Sequence, residues 1–280
     1  MKIGKFDVLE TLGQGAGSTV LKVRRHEDGK TYALKVVKVQ DADDRRYIDQ
    51  LQHEFEVASR FDHPHLCRMY ALELEKSLLG KLQGGKLLIE YVHGAPLSGF
   101  KTMSVGKLLV VFAKTAAGLA HMHALGFYHA DVKPENILVT AEGDVRLIDF
   151  GVAWRRGVDK GRIQGTLDYL APEQLRKKIA NAKTDIFNLG ATMYRMFTGG
   201  PIPPGFHEKG ASSFGSLDDL VKPITQFNSQ CPKELDVFVR KCLRYHPTER
   251  PESMKEVFRS LKELVARRKS EKKKRRAEEN

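Results

Sequence analysis

Apolar and polar positions change rhythm along the chain. Phe6-Asp7-Val8-Leu9-Glu10 alternates with period two, a glycine-rich turn follows, and Ser18 to Arg24 continues as a strand. Glu27-Asp28-Gly29-Lys30 is a hairpin-turn signal ahead of a strand over Thr31 to Val39. From Asp41 to Phe61 the period becomes helical. At about 100° per residue, Phe61, Glu54, Tyr47, Ala58, Leu51, Phe55 and Ile48 succeed one another around one side. A further strand pair is expected around a turn at Gly84-Gly85, ending in Leu87-Leu88-Ile89-Glu90-Tyr91-Val92. After Gly94-Ala95-Pro96 the pattern is mostly helical, over 104–125, 184–198, 233–243 and 252–266, with short strands at 137–140 and 145–148. The chain therefore reads as α+β, β-rich in its first third and helix-rich afterwards, with a hinge-like crossing near 90–97. There is no internal repeat.

Composition adds bounds. A chain of 280 residues holds one large domain or two ordinary ones. Hydrophobic residues at 41% and charged residues at 29% exclude wholesale disorder. Cys67, Cys231 and Cys242 form no Cys-x-x-Cys pair, which argues against a disulfide framework or structural zinc and fits a reducing compartment. The longest wholly apolar run, Leu108 to Ala113, is far short of the roughly 20 residues a membrane span requires. The first residues lack the apolar core of a signal peptide. A soluble cytoplasmic protein is expected, or the cytosolic part of a longer membrane-attached chain.

The net charge of +12 is uneven, because Arg267 to Arg276 (RRKSEKKKRR) carries +7 of it. The apolar pattern stops at Val265-Ala266, so 267–280 reads as a basic tail. Such a run is a solvated helix extension or disordered tail. Alternatively it is a segment that contacts an anionic membrane or another polyanion.

Three clusters carry candidate chemistry. Gly13-Gln14-Gly15-Ala16-Gly17-Ser18 lies between two strands, where closely spaced glycines let backbone N–H groups approach phosphate oxygens. Lys35 stands in the apolar strand Tyr32-Ala33-Leu34-Lys35-Val36-Val37, on the face of Ala33 and Val37. Glu54 falls inside the apolar stripe of the first helix. Each charge supplies what the other lacks, so the two are expected to pair. His129-Ala130-Asp131-Val132-Lys133-Pro134-Glu135-Asn136 is followed thirteen residues later by Asp149-Phe150-Gly151, with a hairpin between them. Asn136 and Asp149 offer oxygen ligands of the kind Mg²⁺ prefers. Lys133 can neutralise a transferring phosphoryl group, and Asp131 can accept a hydroxyl proton.

From Phe6 to Val265 these motifs, in this order, resemble the protein kinase superfamily, serine/threonine type, and its bacterial members in the compact loops. The resemblance implies a two-lobed fold with ATP between the lobes, a β-rich N-lobe with its helix C over 1–92 and a helical C-lobe over 93–266. It implies that Gly13, Gly15, Gly17, Ser18 and Val20 belong to the loop covering the ATP phosphates. Lys35 would hold the α- and β-phosphates with Glu54 as its partner. Ile89 sits where the gatekeeper does, and Glu90 and Val92 where backbone groups bind adenine. Val20, Ala33 and Leu138 would line the adenine pocket, and Glu135 would be a further nucleotide-binding residue. Asp131 is similar to the catalytic base, and Asn136 and Asp149 to the Mg²⁺ ligands. Gly165 to Glu173 resembles the substrate-positioning loop, Glu173 would pair with Arg250, and Asp185 looks like the acid that anchors the catalytic loop. Lys133 and the Thr166 segment imply protein Ser or Thr hydroxyls as acceptors, with no specific nucleic-acid recognition.

Three positions depart from the family pattern. Ala130 replaces the arginine that reads a phosphorylated activation loop, and residues 152–164 contain no Ser, Thr or Tyr. Control by activation-loop phosphorylation is therefore expected to be absent, with Thr166 and Tyr169 structural. Ala58 is smaller than the usual residue one turn after Glu54, which suggests a loosened helix and regulation there by a partner or by dimerisation. Ser18 holds the third glycine position. Two rivals are a pseudokinase scaffold, whose mark would be loss of Lys35, Asp131, Asn136 or Asp149, and a small-molecule kinase. His121 and His123, two apart on a helix, cannot share a face as a metal pair. His53, His63 and His65 read as packing and capping residues. Arg155, Arg156, Lys160 and Arg162 give the activation segment a basic cast, read as a solvated loop or a preference for acidic substrates.

Overall fold

The computed structural model describes residues 1–15, 17–41, 43–100, 102–158, 164–177, 179–203 and 220–278. The chain divides into two compact units. The first comprises Met1–Asp62, Leu66–His93 and Asp149–Gly151; the second comprises His63–His65, Gly94–Ile148 and Val152–Asn280.

The first unit is an antiparallel sheet with one helix. Its strands are β1 (Lys2–Ile3), β2 (Phe6–Gln14), β3 (Ser18–Arg25), β4 (Thr31–Lys38), β5 (Met69–Lys76) and β6 (Leu82–Glu90), in the order β1-β2-β3-β4-β6-β5. Period-two alternation sends Phe6, Leu21, Val23, Tyr32, Leu34 and Leu88 to one face as a core cluster. Val37 and Leu87 pack against Ile48 and Leu51 of helix α1 (Arg45–Ala58). The helix starts at Arg45, later than the helical period expected from Asp41. Asp41 and Asp44 side chains accept from the backbone N–H groups of Asp43, Asp44, Gln40 and Asp41, a local turn that competes with helical bonding.

The expected turn at Gly84-Gly85 is corrected. Both glycines lie inside β6, and the chain reverses instead through Ser77 to Lys81, with Gly80 at φ +77°. Glycine is required in the strand by close approach. A Cβ on Gly84 would lie 2.7 Å from the Val37 carbonyl oxygen, and one on Gly85 3.0 Å from Leu51 Cδ2.

In the second unit, helix α2 (Val105–Ala124) starts at Ser104, whose hydroxyl accepts from the Lys107 N–H. By length and mean hydropathy (1.3) α2 is long and apolar enough to cross a membrane, although its apolar residues do not form one unbroken run. Yet 61% of that window is buried within the fold, against α4 and α6 among other elements, so it is a core helix. The short strands β7 (Gly94–Pro96), β9 (Ile137–Thr140) and β10 (Val145–Leu147) form one sheet, and β8 (Phe127–Tyr128) pairs with β11 (Trp154–Arg155). Helix α3 (Pro172–Lys177) precedes α4 (Ala182–Thr198), which is capped by a reciprocal Asn181–Thr184 box and ended by left-handed Gly199. Helices α5 (Lys233–Cys242) and α6 (Met254–Glu278) complete the described elements.

Helix α6 does not stop at Ala266. Residues 267–278 contain no Gly or Pro and are mostly Lys and Arg, good helix formers. Arg268 is tied down by a bond from Nη1 to the Gln230 carbonyl (3.1 Å), while Arg267, Lys269 and Lys272 to Lys274 are exposed. All three cysteines are buried thiols in no disulfide, and burial pushes those of Cys231 and Cys242 up to about 11 and about 12.

Candidate active site

In the first unit the sheet register places Val20, Ala33, Lys35 and Ile89 on one face, since Val20 pairs with Lys35, and Ala33 with Ile89. The glycine-rich turn is closed by a bond from the Gly15 N–H to the Ser18 carbonyl (2.8 Å). Ala16 lies outside the described residues. A Cβ on Gly13 would meet nothing within 4 Å, whereas one on Gly17 would lie 2.2 Å from the Tyr47 ring. Gly17 is thus required by helix α1, and Gly13 leaves bare, accessible backbone. Glu90 closes β6. Its N–H donates to the Arg68 carbonyl (2.9 Å), and its carboxylate accepts from the Arg68 N–H (3.1 Å). Val92 is half-buried just beyond the strand.

Lys35 Nζ donates to Glu54 Oε2 at 2.6 Å and lies 4.0 Å from Asp149 Oδ1. The Glu54 side chain is 2% exposed, so this is a buried ion pair. Burial alone would lower the Lys35 ammonium. The Glu54 and Asp149 carboxylates outweigh it and hold the lysine above its ordinary value. Burial likewise leaves the Glu54 carboxyl above its ordinary range, with Lys35 pulling the other way. Asp149 has φ +64°, an unusual backbone for a non-glycine residue. Its neighbour Gly151 donates N–H to Asp149 Oδ1 (3.4 Å). A Cβ on Gly151 would lie 2.7 Å from Gln50 Nε2. Phe150 is fully buried and stacks edge-on against Phe61 (5.4 Å between centroids). Ala58 is itself buried, and Phe61, one turn further on, supplies the large apolar contact to Phe150.

Replacing Lys35 with Met is expected to lower kcat/KM for ATP by about 10²-fold, the usual loss for one preorganised electrostatic donor. Steady-state kinetics at varied ATP checks this, and a value equal to wild type would remove the phosphate role of Lys35.

The second unit holds the other cluster. Asp185, fully buried, accepts from the His129 N–H (2.9 Å) on Oδ2 and the Ala130 N–H (2.7 Å) on Oδ1. These bonds hold Ala130 at φ +65°, a conformation that costs on the order of 1 kcal/mol or more for a residue with a Cβ. His123 Nε2 also bonds Asp185 Oδ2 at 2.7 Å, a role beyond packing that residue spacing did not reveal. His129 Nδ1 accepts from the Asp131 N–H, so its Nε2 carries the proton donated to the Ile148 carbonyl (3.1 Å).

Both carboxylate oxygens of Asp131 are engaged. Oδ1 accepts from the Thr166 N–H (2.8 Å), and Oδ2 accepts from Lys133 Nζ (2.8 Å) and Asn136 Nδ2 (3.3 Å). Lys133 Nζ also donates to Thr166 Oγ1 (2.7 Å). Asn136 Nδ2 further donates to the Asp131 carbonyl (2.9 Å), which leaves Oδ1 as the oxygen to offer a hard cation. Glu135 is exposed in the short turn Pro134–Asn136, and Leu138 is half-buried in β9. Asp149 belongs to the first unit and Asn136 to the second. Among the described residues no cluster of three His, Cys, Asp or Glu could cage a metal. Mg²⁺ needs no such cage, being held by one or two side chains together with phosphate oxygens and water.

Thr166 is half-buried and bonded to Lys133, and Tyr169 is buried, with burial raising its phenol well above its ordinary value. Arg156 bonds the Tyr128 hydroxyl (3.0 Å) and Arg155 is exposed in β11. Lys160 and Arg162 lie outside the described residues. Arg250 and Glu173 form the expected pair as a bidentate contact of 2.7 and 3.0 Å.

A model described as protein kinase domain matches residues 6–261. The chain is 29% identical over 254 residues to the serine/threonine-protein kinase AtPK2/AtPK19 of Arabidopsis thaliana, covering 89% of this chain and 51% of that protein. It is 32% identical over 208 residues to the probable serine/threonine-protein kinase pknA2 of Bifidobacterium longum (70% of this chain, 27% of the relative). It is 25% identical over 267 residues to the serine/threonine-protein kinase PrkC of Bacillus subtilis (92% and 40%). The chain thus spans about half the length, or less, of these relatives.

Proposed function

Because the chain belongs to the protein kinase family, we propose that it transfers the γ-phosphoryl group of ATP to protein Ser or Thr hydroxyls. The observation that carries this reading is the bonding of Asp131. Its carboxylate is fixed by a backbone amide, a lysine and an asparagine, and the same lysine bonds the hydroxyl of Thr166. A carboxylate so held orients an incoming hydroxyl and accepts its proton, and Lys133 offsets charge on the transferred group. Lys35, fixed by Glu54, binds the α- and β-phosphates, and the bare backbone of Gly13 is open to phosphate oxygens. Asn136 and Asp149 would hold Mg²⁺, which neutralises phosphate charge when bound.

Phosphorylation of the activation segment plays no part in this activity. Residues 152–164 carry no hydroxyl and Ala130 offers no guanidinium to read a phosphate. Phosphatase treatment should leave the specific activity unchanged, and a large loss traced to this segment would contradict that. Regulation through helix α1 rests on Ala58 alone. Ala58→Leu should alter activity if that helix is a control point, and unchanged kinetics would end the idea.

The test of the main reading is transfer of label from γ-labelled ATP, with Mg²⁺, to a protein mixture. Label in protein supports it. Label in a small molecule alone would favour a small-molecule kinase, and ATP binding without transfer would favour a pseudokinase scaffold.

A further inference from the structure

Ala130 offers no guanidinium to the activation segment, but its carbonyl is held by a buried side chain. Gln174, in helix α3, is 3% exposed, and its amide is used from both ends. Nε2 donates to the Ala130 carbonyl (2.9 Å) and to the Gln164 carbonyl (3.3 Å). Oε1 accepts from the Ala171 N–H (2.9 Å) and from Asn188 Nδ2 (3.0 Å). Asn188, 1% exposed in α4, also donates to the Tyr169 carbonyl (2.6 Å). Gly165, between these anchor points, has φ +115°. A Cβ there would lie 3.0 Å from the Ala130 oxygen and 2.6 Å from Leu170 Cδ2, so a side chain would crowd both and strain the left-handed backbone.

We propose that Gln174, held by Asn188, is a positioning residue that clamps the activation segment to the catalytic loop and so does without a phosphate what an arginine–phosphate contact would do. The chain of contact is short. Gln174 fixes the carbonyls of Ala130 and Gln164, the residues beside Asp131 and just ahead of Thr166. The Thr166 N–H then holds Asp131 Oδ1 at 2.8 Å, and its hydroxyl holds Lys133 at 2.7 Å. Four bonds made in a buried site tolerate no sliding of one segment past the other. This clamp deepens the proposed kinase activity and rests on it.

The test compares wild type with Gln174→Met, which keeps the length but makes no hydrogen bond, and with Asn188→Ala, which removes the support. Two readouts are taken on folded protein: steady-state kinetics, and hydrogen exchange of amides 164–171. The clamp requires kcat for protein substrate to fall about 10- to 100-fold, the scale set by small misplacements of a catalytic group. KM for ATP stays at the wild-type value, and the Thr166 amide exchanges faster. A merely structural glutamine would lower the melting temperature and leave kcat and KM of the folded fraction alone. Unchanged kcat in both variants, with wild type active, overturns the clamp and leaves the kinase reading standing. If wild type transfers no phosphate, the kinase reading falls, and the exchange of Thr166 alone decides the clamp. If one variant fails to fold, the other carries the result.

Discussion

Asp131→Asn lowers phosphoryl transfer by about 10²- to 10⁴-fold, the range general-base catalysis contributes, and leaves ATP binding unchanged. The asparagine keeps the size of the side chain and one oxygen to accept the Thr166 N–H, so the backbone around it stays in place. It loses the charge that accepts a hydroxyl proton. It also turns an NH₂ toward Lys133 Nζ and Asn136 Nδ2, two donors that the carboxylate satisfied. Transfer at saturating ATP, measured beside titration of a non-hydrolysable ATP analogue, separates the two effects. Wild-type turnover would show that Asp131 is not the base.

Glu173→Ala should destabilise the protein by about 3–5 kcal/mol, the cost of stranding a buried charge. All five donor hydrogens of Arg250 have acceptors: both oxygens of Glu173 and the carbonyls of Lys183, Arg244 and Tyr245. The Arg250 side chain is wholly buried, so the guanidinium stays out of bulk water once the carboxylate is gone. Thr184 Oγ1, which donates to Glu173 Oε1 at 2.9 Å, loses its acceptor as well. The melting temperature should fall by roughly 10 °C, given about 2–4 °C per kcal/mol in a chain of this size. Replacing both partners, Glu173→Leu with Arg250→Met, should recover part of the loss by removing the stranded charge. Recovery stays incomplete because three carbonyls then lack donors. Thermal unfolding of the single and double variants checks both points, and a single variant as stable as wild type would contradict them.

The Lys35–Glu54 pair could be read from the sequence because each charge breaks an otherwise apolar pattern, and each break has one physical remedy. The strand and helix order followed from periodicity for the same reason. Gly84-Gly85 was misread because two glycines signal a turn as strongly as a close approach, and only the neighbours Val37, Ile48 and Leu51 separate the two causes. The basic tail could be read only as a helix extension or a disordered tail, and it is the extension, because an apolar stripe marks where a helix packs whereas charged helix formers can extend it without one. Gln174, Asn188 and His123 gave no signal at all. Apart from the Gln174 bond to the Ala171 N–H, their roles arise from hydrogen bonds to backbone or side chains 10 to 62 residues away, and no periodicity or local spacing encodes such contacts.

Acid hydrolysis of protein labelled by this kinase, followed by phospho-amino-acid analysis, addresses the reaction most directly. The proposed activity predicts label as phosphoserine or phosphothreonine. Label found as phosphotyrosine, or no label in protein above the level left by Asp131→Asn, would contradict it.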